Sequence, residues 1–322
     1  MAVLDSVDRF QRRHAVFGFP LAVVYKFVDD FGIYLAALLT YYAFLSIFPL
    51  LLLLSTILSV VLSSHPEWQQ DILDSTLSQI PVLQSAVGDP NQLSGGPVGV
   101  VVGSLLALYG ALGVGNALQY AMNTIWAIPR NTRPNPFLLR ARSMLLIGTA
   151  GLAALGVTII SAITASAQEW GSWTRALSLG LTLVLNTGIL ILAFRIGVRG
   201  APPGHQLAGA MFAAVGLQFL QTYGLVFVAR VIAGASIVTG VFALVIGLLS
   251  FIYVAAILVV LSAEVNAVGS RRLYPRALLT PFTDNVDLTE ADKAAYASQA
   301  RATRLKGYER IEVIFDRGRR RD

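Results

Sequence analysis

Six long apolar runs divide the chain, at 36–62, 97–125, 142–166, 176–196, 207–230 and 240–267. An α-helix rises about 1.5 Å per residue, so about 20 apolar residues cross the roughly 30 Å hydrocarbon core of a bilayer. Each run is long enough to do so, and residues 35–62 contain no charged side chain. The pattern therefore predicts an all-α polytopic integral membrane protein with six transmembrane helices.

The polar segments between the runs predict how these helices are oriented. Lys and Arg are frequent before residue 35, in 126–141 and from residue 271 onward, whereas 63–96 and 231–239 contain none. Loops rich in Lys and Arg stay in the cytoplasm. An even number of spans with basic ends therefore predicts that both termini are cytoplasmic.

Three parts of the chain follow from this pattern. Residues 1–34 are predicted to be a cytoplasmic, amphipathic segment that lies at the membrane interface. Residues 35–270 form the six-helix membrane domain, which includes an amphipathic outer loop at 63–96. Residues 271–322 form a polar cytoplasmic tail with one helix, which starts near Thr289, and a basic end.

The composition agrees with a membrane protein and argues against several classes of enzyme. Hydrophobic residues make up 55% of the chain and charged residues 13%, against about 25% charged in a soluble domain. There is no cysteine, and the three histidines are scattered. We therefore expect no thiol catalysis, metal site or cofactor, and the remaining polar residues show no spacing typical of a nucleophile and its base.

Polar side chains inside the predicted spans are the candidate functional residues. They share helix faces and concentrate in the predicted cytoplasmic half of spans one, two and six. One hypothesis is that they line a cavity, with a proline that bends span one. The alternative is that they bond across closely packed helices. The residues concerned are Tyr41, Tyr42, Ser46, Pro49, Asn116, Gln119, Asn123, Tyr253 and Glu264.

Glu264 is the only carboxylate within a predicted span. An ionisable side chain in a membrane is a functional hypothesis by default, and proton coupling is one such function. The alternative is a structural ion pair with a cytoplasmic arginine. Four arginines near the cytoplasmic boundary are candidates for that pair, and also for contacts with anionic lipid headgroups: Arg140, Arg142, Arg195 and Arg199.

Four segments resemble the YihY / virulence factor BrkB family of bacterial membrane proteins: LTYYAFLSIFPLLLLL at 39–54, ALQYAMNTIW at 117–126, LAGAMFAA at 207–214 and GLLSFIYVAAILVVLSAEVNAV at 247–268. The resemblance covers about residues 30–272. It implies a bacterial cytoplasmic (inner) membrane protein with six spans, for which transport has been suspected. Members have also been labelled ribonuclease BN, but this chain lacks the His and Asp metal cluster of a nuclease.

Two functions fit these observations. The first is a transporter or flippase-like protein for a lipid-like or anionic substrate. The second is a structural or scaffolding membrane protein without transport activity. In either case the expected partners are membrane lipids, including anionic headgroups at the cytoplasmic face, and no nucleic acid. The substrate, the energy coupling and the oligomeric state do not follow from the sequence.

Overall fold

The computed structural model describes residues 2–61, 96–166, 172–198, 206–233, 237–283 and 286–315. Within these ranges the chain is helical and contains no β-strand. The helices are α1 (Ala2–Arg13), α2 (Ala15–Asp29), α3 (Gly32–Val61), α4 (Gly96–Ile125), α5 (Pro136–Ser166), α6 (Ser172–Gly197), α7 (Leu207–Ala233), α8 (Ile237–Arg271) and α9 (Glu290–Ala302). The predicted outer loop 63–96 lies outside the described residues, apart from Gly96 at the start of α4.

Each predicted apolar run lies within one of the six long helices α3 to α8, to within a residue at its ends. Three helices of the described chain are long and apolar enough to cross a membrane: Val101–Ile125, Leu179–Gly197 and Val245–Arg271. A fourth candidate is the pair Ala15–Asp29 and Gly32–Ile47, which meet at an angle of 66°. The described part of the chain is therefore all-helical with several helices that could span a membrane, and the full count of six spans remains a prediction.

The long helices pack in chain order, and α8 closes the bundle by packing against α3 as well as α7. Small residues make this close packing possible. At Gly209 of α7 an added Cβ would overlap the backbone oxygen of Ser262 in α8, and at Gly113 of α4 it would overlap the Tyr42 ring of α3. The core between these helices is rich in alanine, with Ala210, Ala263 and other fully buried alanines. Small-residue contacts of this kind are typical of helix pairs in membranes.

One end of the bundle is polar, and we call it the polar end. It comprises the elbow between α2 and α3 at residues 29–31, the ends of α4 and α8, and the described residues from 272 through α9. Helix α2 ends because Phe31 adopts a left-handed backbone conformation with φ of 57°, which turns the chain into α3. Helix α9 begins with a capping box, in which Thr289 and Asp292 each accept a hydrogen bond from the other's backbone N–H.

Candidate functional site

Three charged side chains meet where α2, the elbow and α8 come together. The Lys26 ammonium donates a hydrogen bond to the Asp30 carboxylate and lies 3.3 Å from Oε2 of Glu264. It also donates to the backbone oxygen of Ile125, at 2.8 Å, at the end of α4. This group, Lys26 with Asp30 and Glu264, is called the charged triad below. It joins three separate helices through one ammonium group.

The charged triad is almost completely closed off by protein. Lys26 and Asp30 are each 5% exposed, and Glu264 is 0% exposed. Removing an ion from water costs several kcal/mol even after the protein relaxes, and a nearby opposite charge only partly offsets that cost. Three buried ionisable groups are therefore an expensive feature for helix packing alone.

Glu264 has the fewest hydrogen bonds of the charged triad. The Lys26 ammonium lies near its Oε2 without an aligned hydrogen bond, and neither carboxyl oxygen has another donor among the described residues. Asp30, in contrast, accepts from Lys26 and lies 3.5 Å from the side-chain amide nitrogen of Gln299 in α9. The two carboxyl groups therefore have unequal surroundings, although they share one cation.

A second buried ion cluster lies next to the first, at the polar end. Arg276 is fully buried and donates to Asp29 at 2.6 Å and to Asp292 at 2.7 Å. Its guanidinium also lies 5.9 Å from the ring centre of Tyr25 and 5.2 Å from that of Tyr296. Burial by itself would lower the pKa of Arg276, but the hydrogen bond to Asp292 and the charge of Asp29 raise that pKa above its usual value.

Adjacent residues of the elbow join the two clusters. Asp29 pairs with Arg276 of the tail, whereas Asp30 pairs with Lys26 in the charged triad. Gln299 of α9 donates to the backbone oxygen of Asp29 at 2.7 Å. The tail helix is thus bonded to the same two-residue turn that supplies one carboxylate of the charged triad.

The amides predicted in span two lie in a contact between α4 and α5. The Ser143 hydroxyl donates to Asn116 at 2.9 Å, and Gln119 donates to Ser143 at 2.9 Å and to the Leu139 backbone at 3.0 Å. Asn123 donates to the backbone oxygen of Gln119 within α4. The oxygens of the Gln119 and Asn123 side chains have no partner among the described residues.

The aromatic and hydroxyl residues predicted in spans one and six have different surroundings. Tyr42 and Ser46 lie against glycines of α4, and Tyr253 packs on the edge of the alanine-rich core. Tyr41 is 58% exposed and therefore points away from the bundle. Pro49 lies within α3, which stays helical through it, and its side chain is outside the described part.

The cation that pairs with Glu264 in the described chain is Lys26, which the sequence analysis did not consider for that role. Arg140 and Arg142 lie in the first turns of α5, and Arg195 lies in the last turn of α6. Because α5 and α6 are consecutive and packed together, these positions lie at the same end of the helix pair. Arg199 lies outside the described residues.

Sequence reasoning missed Lys26 and Asp30 as site residues. From the sequence, Lys26 is one of the basic residues before residue 35 that predict a cytoplasmic N-terminus. A usable signal was present, since Lys26 is the only charge in α2 before Asp29, and Asp30 follows it by four residues. No group of three or more His, Cys, Asp or Glu side chains arranged for a metal ion occurs in the described chain.

Comparisons with known proteins agree with the resemblance. The profile of the family "Virulence factor BrkB" matches residues 23–285. The chain is 25% identical over 290 residues to the UPF0761 membrane protein PsycPRwf_0630 of Psychrobacter sp. (strain PRwf-1), and 27% identical over 301 residues to the inner membrane protein YhjD of Escherichia coli (strain K12).

Each alignment covers 85% of this chain, but it covers 53% of the Psychrobacter protein and 87% of the Escherichia coli protein. The chain therefore spans about half the length of the first relative. No solved structure matches the chain significantly. Since the family profile covers most of the sequence, this membrane protein belongs to the virulence factor BrkB family.

Proposed function

We propose that this protein is a transporter, of flippase-like character, that moves a lipid-like or anionic substrate across the bacterial cytoplasmic membrane. The observation that carries the proposal is the charged triad at the break between α2 and α3. Transporters commonly place ionisable side chains at interrupted helices, because the interruption supplies polar backbone groups for a substrate or a coupling ion.

The cost of burying the charged triad favours transport over a purely structural role. Hydrophobic residues of similar volume usually replace a buried ion pair with little loss of stability, or with a gain. A protein that only needed helices α2, α4 and α8 to stay together could therefore use apolar contacts. Charges that are kept at such a cost fit a protein whose conformations differ in how those charges are paired.

The class of substrate is inferred from the arginines at the start of α5 and at the end of α6, which lie at the same end of this helix pair. Arg140 is exposed, Arg142 is partly buried and Arg195 is exposed at the end of α6. Arginine binds phosphate and carboxylate groups through two parallel hydrogen bonds. An amphiphile with an anionic headgroup can bind these arginines through its headgroup and contact the surrounding apolar helix faces with its chains.

A lipid-translocation assay tests the proposal. The protein is reconstituted into liposomes of phosphatidylethanolamine and phosphatidylglycerol, with fluorescent phosphatidylglycerol as the probe. The fraction of probe that a membrane-impermeant reductant can quench reports movement between leaflets. We expect wild-type protein to accelerate movement and Glu264→Gln to slow it at least about tenfold, which corresponds to ~1.4 kcal/mol.

The matched control is Glu290→Gln, which makes the same chemical change at a site where the side chain is 91% exposed. This variant is expected to move the probe at the wild-type rate. Movement no faster than in protein-free liposomes, for this probe and for a free carboxylate-bearing amphiphile, would remove the transport proposal.

A scaffolding role is the second candidate, and the hydrogen bonds among Asn116, Gln119 and Ser143 favour it. These polar groups join α4 to α5 and are used in packing. Under this alternative, Gln119→Leu and Glu264→Gln would both lower stability, and neither would change the movement of any amphiphile. Under the transport proposal, Glu264→Gln slows the movement of the probe by more than its loss of stability explains, whereas Gln119→Leu does not.

A further inference from the structure

The charges of the triad do not balance if every member is ionised. One ammonium, on Lys26, faces the two carboxyl groups of Asp30 and Glu264. These two are the charged groups that interact with Glu264 from α2 and the elbow. Arg271 of α8 and Asp29 interact electrostatically with Asp30 instead. Within the triad the surplus negative charge therefore lies on the two carboxyl groups, and the nearby charge of Arg271 acts on Asp30.

The hydrogen bonds indicate which carboxyl group is ionised. Asp30 receives the Lys26 hydrogen bond and lies near both Arg271 and the Gln299 amide, so its surroundings suit a carboxylate. Glu264 is wholly buried, and the Lys26 ammonium, 3.3 Å from its Oε2, makes no aligned hydrogen bond with it. An ionised carboxylate with so few donors is costly at such a site, whereas a neutral carboxylic acid needs only an acceptor.

Asp30 supplies that acceptor. Both carboxyl groups lie beside the same Lys26 ammonium, so Glu264 and Asp30 are neighbours within one buried site. A protonated Glu264 then donates to an ionised Asp30, and the Lys26 ammonium balances the single remaining negative charge. Two carboxyl groups in contact share one proton in this manner because both cannot be ionised side by side.

We propose that Glu264 is a proton-binding site, which donates its proton to the Asp30 carboxylate in a hydrogen bond beside the Lys26 ammonium, and that transport is coupled to release of this proton. The transport role rests on the proposed function, whereas the proton site itself does not. In the release step the O–H bond of Glu264 breaks and a new O–H bond forms on Asp30. The total charge of the triad is unchanged by that transfer.

Solvent exposure increases from Glu264 to the carboxyl groups of the elbow. Glu264 is 0% exposed, Asp30 is 5% exposed and the side chain of Asp29 is 13% exposed. Asp30 lies at the polar end, beside the tail helix. A proton on Asp30 can therefore leave towards the polar end once water reaches the elbow, and the same route serves reloading.

Infrared difference spectroscopy of the full chain in lipid nanodiscs tests the proton site directly. We expect a carbonyl stretching band of one buried carboxylic acid at neutral pH, which disappears at alkaline pH. The band is expected to be lost in Glu264→Gln and retained in Glu290→Gln. Retention of the band in Glu264→Gln, or its absence from the wild-type protein, would overturn the assignment.

Asp30→Asn provides a second variant that keeps Glu264 in place. With Asp30 neutral, Lys26 is left with Glu264 as its only carboxylate, so Glu264 is expected to ionise and the band to be lost. A band that persists unchanged in Asp30→Asn would contradict the shared-proton arrangement. Circular dichroism of each variant shows that the helices remain, so a lost band is not a sign of unfolding.

Proton coupling is then measured by following fluorescent phosphatidylglycerol with and without a pH gradient across the liposomes. We expect a gradient to change the rate severalfold in wild-type protein and to have no effect in Glu264→Gln. A carbonyl band that depends on Glu264, without any lipid movement, would support the proton site and refute the transport function. A rate of lipid movement that is the same with and without the pH gradient would support transport and refute the proton coupling.

Discussion

Arg276 links the tail helix α9 to the membrane domain, and replacing this arginine by methionine tests that attachment. Arg276 is fully buried and bridges Asp29 at the elbow to Asp292 in the first turn of α9. Asp292 is itself fully buried and also accepts a hydrogen bond from the backbone N–H of Ala277. Methionine keeps much of the volume of the side chain and removes its charge.

The expected loss of stability follows from the carboxylates that are left without a cation in Arg276→Met. Removing one partner of a buried ion pair leaves an uncompensated charge and costs about 3–5 kcal/mol. Here two carboxylates lose their cation, while Asp292 keeps its capping bonds with Thr289. Taking ~3 kcal/mol, and tenfold for each 1.4 kcal/mol, the open population of α9 rises by about 100-fold.

Hydrogen–deuterium exchange with mass spectrometry measures this population through peptides that cover residues 290–302. In Arg276→Met we expect their exchange to accelerate by about two orders of magnitude, with little change in peptides from α6. Lys293→Ala is the matched control, because the pair of Lys293 with Glu290 is largely exposed and worth little. Wild-type exchange of α9 in Arg276→Met would refute the argument that this ion cluster holds the tail.

Two further predictions concern packing and pH. Gly209→Ala is expected to lower the unfolding temperature in detergent, at a cost of about 1–3 kcal/mol, because its Cβ would overlap the backbone at Ser262; Gly188→Ala, with open space around it, is expected to change little. Burial would raise the pKa of Asp8, but hydrogen bonds from the Leu278 backbone, Gln11 and Arg12 lower it below its usual value. The stabilisation by Asp8 is therefore present above a pH of about 4 and is lost as the pH falls below that; the protection of α1 amides, after correction for the intrinsic pH dependence of exchange, should fall on acidification in the wild-type protein and fall less in Asp8→Asn.

The long helices could be predicted from the sequence because their signal is local. Runs of apolar residues fix where helices α3 to α8 lie, and the order Thr289-Glu290-Ala291-Asp292 marks where α9 begins. Each of these signals is contained in a few neighbouring residues. Local patterns of this kind need no knowledge of which helix packs on which.

The charged triad could not be predicted in the same way. Lys26 and Glu264 are far apart in the chain, and their pairing depends on α8 closing against both α2 and α3. Several arginines near the same boundary were equally plausible partners by sequence alone. The elbow was also ambiguous by sequence, because Asp29 and Asp30 suit either a helix start or ion pairs with cytoplasmic arginines. The structure pairs Asp29 with Arg276 of the tail and Asp30 with Lys26.

The elbow also predicts that the two ion clusters are energetically coupled. Asp29 and Asp30 are adjacent, and each belongs to a different cluster, so neither can shift without moving the backbone of the other. A double-mutant cycle of Glu264→Gln with Arg276→Met, measured by unfolding in mixed detergent micelles, should therefore give a coupling energy of about 0.5–3 kcal/mol. The same cycle with Lys293→Ala in place of Arg276→Met should be additive, because that side chain pairs at the surface. Additive effects in both cycles would show that the tail and the charged triad are stabilised independently, despite the turn that they share.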